Sequence, residues 1–435
     1  MTAVPDIAGI VDRVRAGQQS GMLHGLDARR DQLKALRRML VERDDELAAA
    51  LGVDLGKPPI EAYTAEIVFT INEIDHALEH IEAWSRPEKV ALPLAVRPGA
   101  GRIRPEPLGT ACIIAPWNYP VQLLLAPAVP ALAAGNAVVL KPSEVAPAVA
   151  ELLERLIGEY LDPQVVGVVT GAVDETTELL AQRFDHIFYT GNGTVGRIVM
   201  KAAAEHLTPV TLELGGKSPA IVAADANIDV TARRIVWSKF LNAGQTCVAP
   251  DYVLVEQSAE QPLVAAMART VTDFYGSDPA ASSDYARIIN ERHHDRLTGL
   301  LDGGGYAETA VGGEQDRDSR YLAPTILTGV KPDAPVMAEE IFGPILPVLA
   351  VASVDEAIDF VNERDRPLAL YAFGDDKATL GRIVEHTSSG GAVLNHAIMH
   401  LAVHELPFGG VGASGMGAYH GKAGFDVFQS PQADS

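Results

Sequence analysis

At 435 residues the chain is too long for one compact core and implies two or three domains. Its formal net charge of −22 argues against a nucleic-acid partner or an anionic membrane surface, since both call for clustered Lys and Arg. Two cysteines, Cys112 and Cys247, give no disulfide framework and fit a reducing cytosol, while 47% hydrophobic residues supply large cores.

Residues 1–6 lack the basic-then-apolar layout of a signal peptide. Over 27–51, Leu33, Leu36, Leu40, Leu47 and Leu51 recur at helical spacing, and a second helix is predicted over 61–84, with Ile67, Ile71, Ile74, Leu78 and Ile81 on one face. Both read as scaffold. Residues 86–109 carry Pro87, Pro93, Pro98, Pro105 and Pro107, as a linker or a ribbon reaching a neighbouring subunit would. The most apolar stretch, 121–140, is broken by Pro127, Pro130, Gly135 and Asn136 into a helix and then a strand, which rejects a membrane span. Strands over 110–115, 137–140, 165–169 and 186–189 alternate with helices over 145–160 and 196–206. That alternation indicates a parallel sheet with helices on its faces. A second series follows Cys247, with strands over 251–256, 345–350 and 392–394.

The chemistry concentrates in a few segments. Gly244-Gln245-Thr246-Cys247 sets a thiol beside Gly and Thr rather than among packing aliphatics. Glu213, with apolar and Gly neighbours, is a carboxylate whose pKa burial would raise. A thiol and a water-activating carboxylate are the minimum for covalent acyl chemistry. Gly191-Asn192-Gly193-Thr194-Val195-Gly196 is a literal G-x-G-x-x-G between strand and helix, the context of a dinucleotide fingerprint. In that template an acidic residue further on binds the ribose, so spacing leaves Glu213 as either base or ribose ligand. In Pro116-Trp117-Asn118-Tyr119-Pro120, Asn118 can aim its N–H at an oxyanion or cap the next helix. Lys141 and Glu144 lie just past a strand's carboxyl end, where nucleotides bind in open α/β sheets.

In chain order these pieces are Pro-Trp-Asn-Tyr-Pro, Leu-Lys-Pro-Ser-Glu, Tyr-Thr-Gly, Glu-Leu-Gly-Gly-Lys-Ser-Pro, Gly-Gln-Thr-Cys, Glu-Glu-Ile-Phe-Gly-Pro and Pro-Phe-Gly-Gly. The order resembles the aldehyde dehydrogenase superfamily over nearly the whole chain. The segments 54–59, 247–252 and 415–422 look like its class 3 branch of fatty and aromatic aldehyde dehydrogenases. The resemblance implies an α/β fold in three parts: a Rossmann-related cofactor domain (1–84 and 108–215), an α/β catalytic domain (216–413) and a small β oligomerisation arm (85–107 and 414–435).

It also implies roles. Cys247 is the nucleophile, Glu213 the base, and Asn118 with the Cys247 N–H the oxyanion donors. Trp117, Lys141, Ser143, Glu144, Gly191, Asn192, Gly196, Glu340 and Phe342 form the cofactor site. Lys141 and Glu144 would take the adenosine ribose, and Glu340 and Phe342 the nicotinamide end. Glu144 favours NAD, with NADP possible, and the substrate would be a medium or long aliphatic or aromatic aldehyde. Tyr63, Trp117, Tyr119 and Trp237 would line its tunnel. A cytoplasmic homodimer is expected, without metal.

Departures are Asn192, where relatives usually have Ser and where the amide could meet a phosphate, and the pair Asn395-His396 near the substrate tunnel. His396, His400 and His404 have metal-like spacing without a matching carboxylate or Cys motif. The chain stops at Ser435, where class 3 relatives usually continue, so a membrane-anchoring tail is expected to be absent. A CoA-acylating enzyme on the same fold, a Cys–His hydrolase and an inert family member are the alternatives. CoA-acylating enzymes generally lack the Glu at position 213.

Overall fold

A computed structural model describes residues 6–434; residues 1–5, most of the segment read for a leader, lie outside the described residues. Strands β1 (Glu88–Val90) and β2 (Gly101–Pro107) precede β3 (Thr110–Ile114), β4 (Ala137–Lys141), β5 (Val166–Val168), β6 (His186–Thr190) and β7 (Val210–Glu213). Then come β8 (Pro219–Val222), β9 (Tyr252–Glu256), β10 (Glu308–Val311), β11 (Thr325–Thr328), β12 (Ile345–Val351), β13 (Ala369–Phe373) and β14 (Gly391–Leu394). Two late strands, β15 (Gly415–Met416) and β16 (Gln429–Asp434), return to earlier parts of the chain.

The first large sheet runs β15-β7-β6-β3-β4-β5, parallel except for β15. From β3 the chain steps outward to β4 and β5, then crosses back to β6 and β7. The order therefore reverses between β3 and β6, and a crevice opens outside their carboxyl ends. All residues of β3, β4 and β6 are buried, as befits a parallel sheet covered on both faces. The second sheet runs β10-β11-β12-β9-β8-β13-β14, with only β10 antiparallel.

The helix expected over 27–51 is two, α1 (Leu26–Glu42) and α2 (Asp44–Leu55). Arg43 leaves the helical region at φ −124°, and Asp44, Asp45 and Glu46 favour a fresh N-terminus there. The expected 61–84 helix begins with a π turn, Ala62–Ile67, before α3 (Val68–Trp84). Pro127 and Pro130 do not interrupt α4 (Gln122–Ala134). All its residues are buried, so packing outweighs the roughly 3 kcal/mol cost of each interior proline. The helix ends only at Gly135, which takes φ 94°.

The Pro-rich ribbon supplies β1 and β2, which join β16 in a three-stranded antiparallel sheet. Residues just before β16 stay with the first sheet: β15 pairs with β7, and the Gly421–Val427 helix packs on α4. Among the described residues no helix is long and apolar enough to cross a membrane.

Candidate active site

Cys247 follows a tight turn after the Ile228–Phe240 helix. In that turn Asn242 and Ala243 take left-handed φ values of 52° and 51°, and Gly244 takes 73°. Two non-glycine residues in this region persist only where neighbours fix them. The Asn242 N–H donates to Glu61 Oε2 at 3.0 Å, and Asn242 Nδ2 donates to the Asn118 carbonyl at 2.8 Å. The turn presents Cys247, half-buried, to a cavity of about 660 Å³ lined by Phe69, Tyr119, Leu123, Trp237, Ile398 and Phe408. Of the four aromatics expected to form a tunnel, Tyr119 and Trp237 do. Trp117 instead packs edge-on to Phe342 at 5.4 Å, and Tyr63 is solvent-exposed.

Two carboxylates bear on the thiol. Burial pushes Cys247 up to about 12, and the charges of Glu340 and Glu213 add to that; the N–H groups of Cys247 and Val248 oppose it. Glu213, the last residue of β7, is buried with neither carboxylate oxygen hydrogen-bonded to protein. Burial alone raises it well above the usual carboxylate range. Glu340 rises to about 8, first through burial and then through Asp251.

Asn118 does not cap the following helix. Its Nδ2 donates to the Gln245 carbonyl at 3.0 Å, and the first N–H groups of that region, Val121 and Gln122, donate to Glu66 instead. Tyr119 Oη lies 2.7 Å from Thr246 Oγ1, a second tie between the two loops.

Across the crevice, Gly191 directly follows β6, and a Cβ there would fall 2.2 Å from the Tyr189 hydroxyl. Gly196 packs against Leu214, as close helix–strand approach requires. Asn192 caps the Gly193–Ala204 helix through Oδ1, which accepts the Val195 N–H at 3.0 Å. That oxygen is committed, which leaves only the amide N–H groups of Asn192 for a phosphate. Lys141 is buried at the carboxyl end of β4, donates to the Pro142 carbonyl at 2.9 Å, and lies 3.7 Å from the exposed Glu144. Burial pulls its ammonium below the ordinary value. Ser143 is buried beside it and accepts the Val145 N–H at 3.3 Å. Glu340 Oε1 is buried without a partner, and a Cβ on Gly215 would fall 2.2 Å from its other oxygen. Phe342 holds a left-handed φ of 50°. A glycine-lined turn, a helix N-terminus and an unpartnered acceptor at the crevice fit a dinucleotide.

The three histidines at metal-like spacing diverge. His404 Nδ1 lies 2.9 Å from Glu73, His400 is largely buried with both ring nitrogens unpartnered, and His396 packs edge-on to Trp237. No group of three or more His, Cys, Asp or Glu among the described residues could hold a metal ion. Sequence reasoning missed Glu61, Lys57 and Glu66 as parts of the site. Glu61 and Glu66 read as charges on the solvated face of a helical stripe, and Lys57 entered only through the class 3 resemblance of 54–59.

A sequence profile described as the aldehyde dehydrogenase family matches residues 4–433. The chain belongs to that family. It is similar to mouse (Mus musculus) aldehyde dehydrogenase family 3 member A2, 51% identical over 416 residues, 96% of this chain and 85% of the relative. It is also similar to the rat (Rattus norvegicus) dimeric NADP-preferring aldehyde dehydrogenase, 49% identical over 97% of this chain and 92% of that one. The solved substrate-bound state of Staphylococcus aureus AldH superposes with a TM-score of 0.96 at 44% identity, over 99% of this chain and 94% of that one. The α/β aldehyde dehydrogenase fold and the class 3 resemblance therefore hold, and the activity is NAD(P)-dependent oxidation of an aldehyde to its acid.

Proposed function

We propose that Cys247 is the nucleophile of this reaction, Asn118 its oxyanion donor and Glu213 its base. The observation that carries this reading is Glu213: a buried carboxylate without a hydrogen-bonding partner, close enough for its charge to raise the Cys247 thiol. Burial of that kind costs stability, and groups so placed cluster at functional sites.

Burial and the two carboxylates push the Cys247 thiol up, so attack on the aldehyde carbon requires loss of its proton, which passes to solvent. Cys247 Sγ bonds to the carbonyl carbon, and the oxygen gains charge that the Asn118 amide and the Cys247 N–H stabilise. A bound nicotinamide would supply the oxidising chemistry, taking the hydrogen of the adduct's C–H bond together with its two electrons and so leaving a thioester on Cys247. Glu213 then removes a proton from water, the resulting hydroxide attacks the thioester carbon, and the C–S bond breaks to return the thiol and the acid.

Lys141, Ser143 and Glu144 would hold the adenosine ribose, Gly191, Asn192 and Gly196 the pyrophosphate, and Trp117, Glu340 and Phe342 the nicotinamide end. The apolar lining around Cys247 favours medium or long aliphatic and aromatic aldehydes. The three-part division of the chain, a homodimer and a cytoplasmic location complete the proposal. The dimeric rat relative supports the second, and two free cysteines suit the third.

Cofactor reduction with NAD or NADP, against benzaldehyde and a straight-chain series without CoA, tests the assignment. Turnover should vanish in Cys247→Ala. Glu213→Gln should retain a first turnover and lose roughly 10²–10⁴-fold in the steady state. Activity that appears only with CoA would overturn the role of Glu213.

A further inference from the structure

A buried charge pair stands behind the two loops that carry Asn118 and Cys247. The Lys57 and Glu66 side chains are completely buried and pair with each other. Lys57 Nζ also donates to the Asn118 carbonyl at 3.0 Å and lies 4.1 Å from the centre of the Tyr119 ring. The free oxygen of Glu66 accepts the Val121 and Gln122 N–H groups at 2.8 and 3.2 Å, where the chain leaves the Asn118 loop. The pair thus holds this loop on both sides of Tyr119.

The loop is held equally from the nucleophile side. The Asn118 carbonyl takes its second hydrogen bond from Asn242 Nδ2. The Asn118 carboxamide has two N–H groups, and one is committed to the Gln245 carbonyl. With the peptide fixed by two donors and the carboxamide by one acceptor, the remaining N–H has a single direction. The π turn over Ala62–Ile67 contains Glu66, and such turns recur at functional sites.

We infer that Lys57 is a positioning residue for aldehyde oxidation: paired with Glu66, it sets the Asn118 peptide so that the free carboxamide N–H meets the developing oxyanion. The inference rests on the role proposed above for Asn118. Stability alone is a poor reason for the pair, because well-packed apolar residues often replace a buried ion pair without loss.

The test uses Lys57→Met combined with Glu66→Gln, which removes both charges together and keeps an oxygen for the Val121 and Gln122 N–H groups. The first-turnover rate of cofactor reduction should fall about tenfold, part of the roughly 10²–10³-fold that a whole oxyanion donor contributes. The aldehyde KM should change less than about threefold, since the lost interaction belongs to the transition state. In an Asn118→Ala background the same double replacement should change the rate less than about twofold.

Lys57→Met alone, with melting temperatures for each variant, separates a folding defect from a catalytic one. A folded double variant at the wild-type rate overturns the inference, as does a full tenfold loss that persists without the Asn118 side chain. Asn118→Ala at the wild-type rate would instead remove the oxyanion role itself, and the inference with it.

Discussion

Gly244 shows how narrowly the nucleophile is placed. It takes φ 73°, and a Cβ there would lie 2.3 Å from the Gly343 carbonyl oxygen and 2.9 Å from the Pro344 nitrogen. Both are backbone atoms and cannot swing aside, so Gly244→Ala must push the Cys247 loop away from the segment carrying Phe342. A destabilisation of about 1–3 kcal/mol is expected from the backbone conformation alone, read as a lower melting temperature. A loss of turnover at saturating aldehyde should accompany it. At this scale the sequence was most legible where chemistry leaves an odd neighbour: a Cys beside Gly and Thr, a Glu among apolar residues. Lys57 and Glu66 left no such mark. They are nine positions apart and meet only because a helix begins after Lys57 and carries a π turn, which no periodicity announces.

Among elements, α3 anchors the segment that closes the substrate cavity. Glu73 Oε1 accepts from His404 Nδ1 at 2.9 Å and His420 Nδ1 at 2.6 Å, and His420 packs against Phe69 and Phe408 of the cavity wall. His76 stacks on His404, and Glu405 and His400 also act electrostatically on this group. Burial opposes the Glu73 charge, yet the hydrogen bonds from His404 and His420 bring it down to about 2. His404 is raised, chiefly by its bond to Glu73.

The signs of the two shifts set a window. A depressed carboxylate stabilises above its unfolded value near 4.5 and loses this as pH falls toward 2. A raised imidazole stabilises fully below 6.5 and loses this as pH rises through its folded value. The melting-temperature gap between wild type and Glu73→Gln should therefore be widest between about pH 4.5 and 6.5 and narrow on the alkaline side, with about 1.5–3 kcal/mol at stake for each charged hydrogen bond. Element reading from sequence succeeded for β3, β4 and β6, whose short apolar runs sit between helical stretches. It missed β13, which is buried throughout and so carries no alternation to distinguish it from a buried helix. It ran α1 and α2 together because the leucine spacing continues across Arg43.

For the molecule as a whole, the three-stranded sheet is the surface on which the proposed homodimer would form. Its β1–β2 ribbon exposes Val90, Leu94, Val96 and Ile103, and Arg104 pairs with Asp434 at 2.7 Å to fasten β16 to β2. Exposed apolar residues on a small sheet with open edges invite pairing with a second copy. On the proposed homodimer, Leu94→Asp combined with Val96→Asp should shift the sedimentation mass from dimer to monomer while leaving the cavity untouched; an unchanged dimer mass would place the interface elsewhere, and a monomeric wild type would overturn the dimer. The fold class was legible because strand and helix alternate along nearly the whole chain. The ribbon's union with the far C-terminal strand was legible only through the family resemblance, since nothing local in a Pro-rich segment identifies a partner more than three hundred residues away.

The thiol that holds its proton has a consequence for survival. Burial and the charges of Glu340 and Glu213 push the Cys247 thiol up, so the free protein should react with alkylating reagents more slowly than an ordinary surface cysteine. Cys112, wholly buried in β3 and pushed higher still, is shielded more completely. A protein whose work brings it into constant contact with electrophiles thus keeps its own sulfur dormant between encounters.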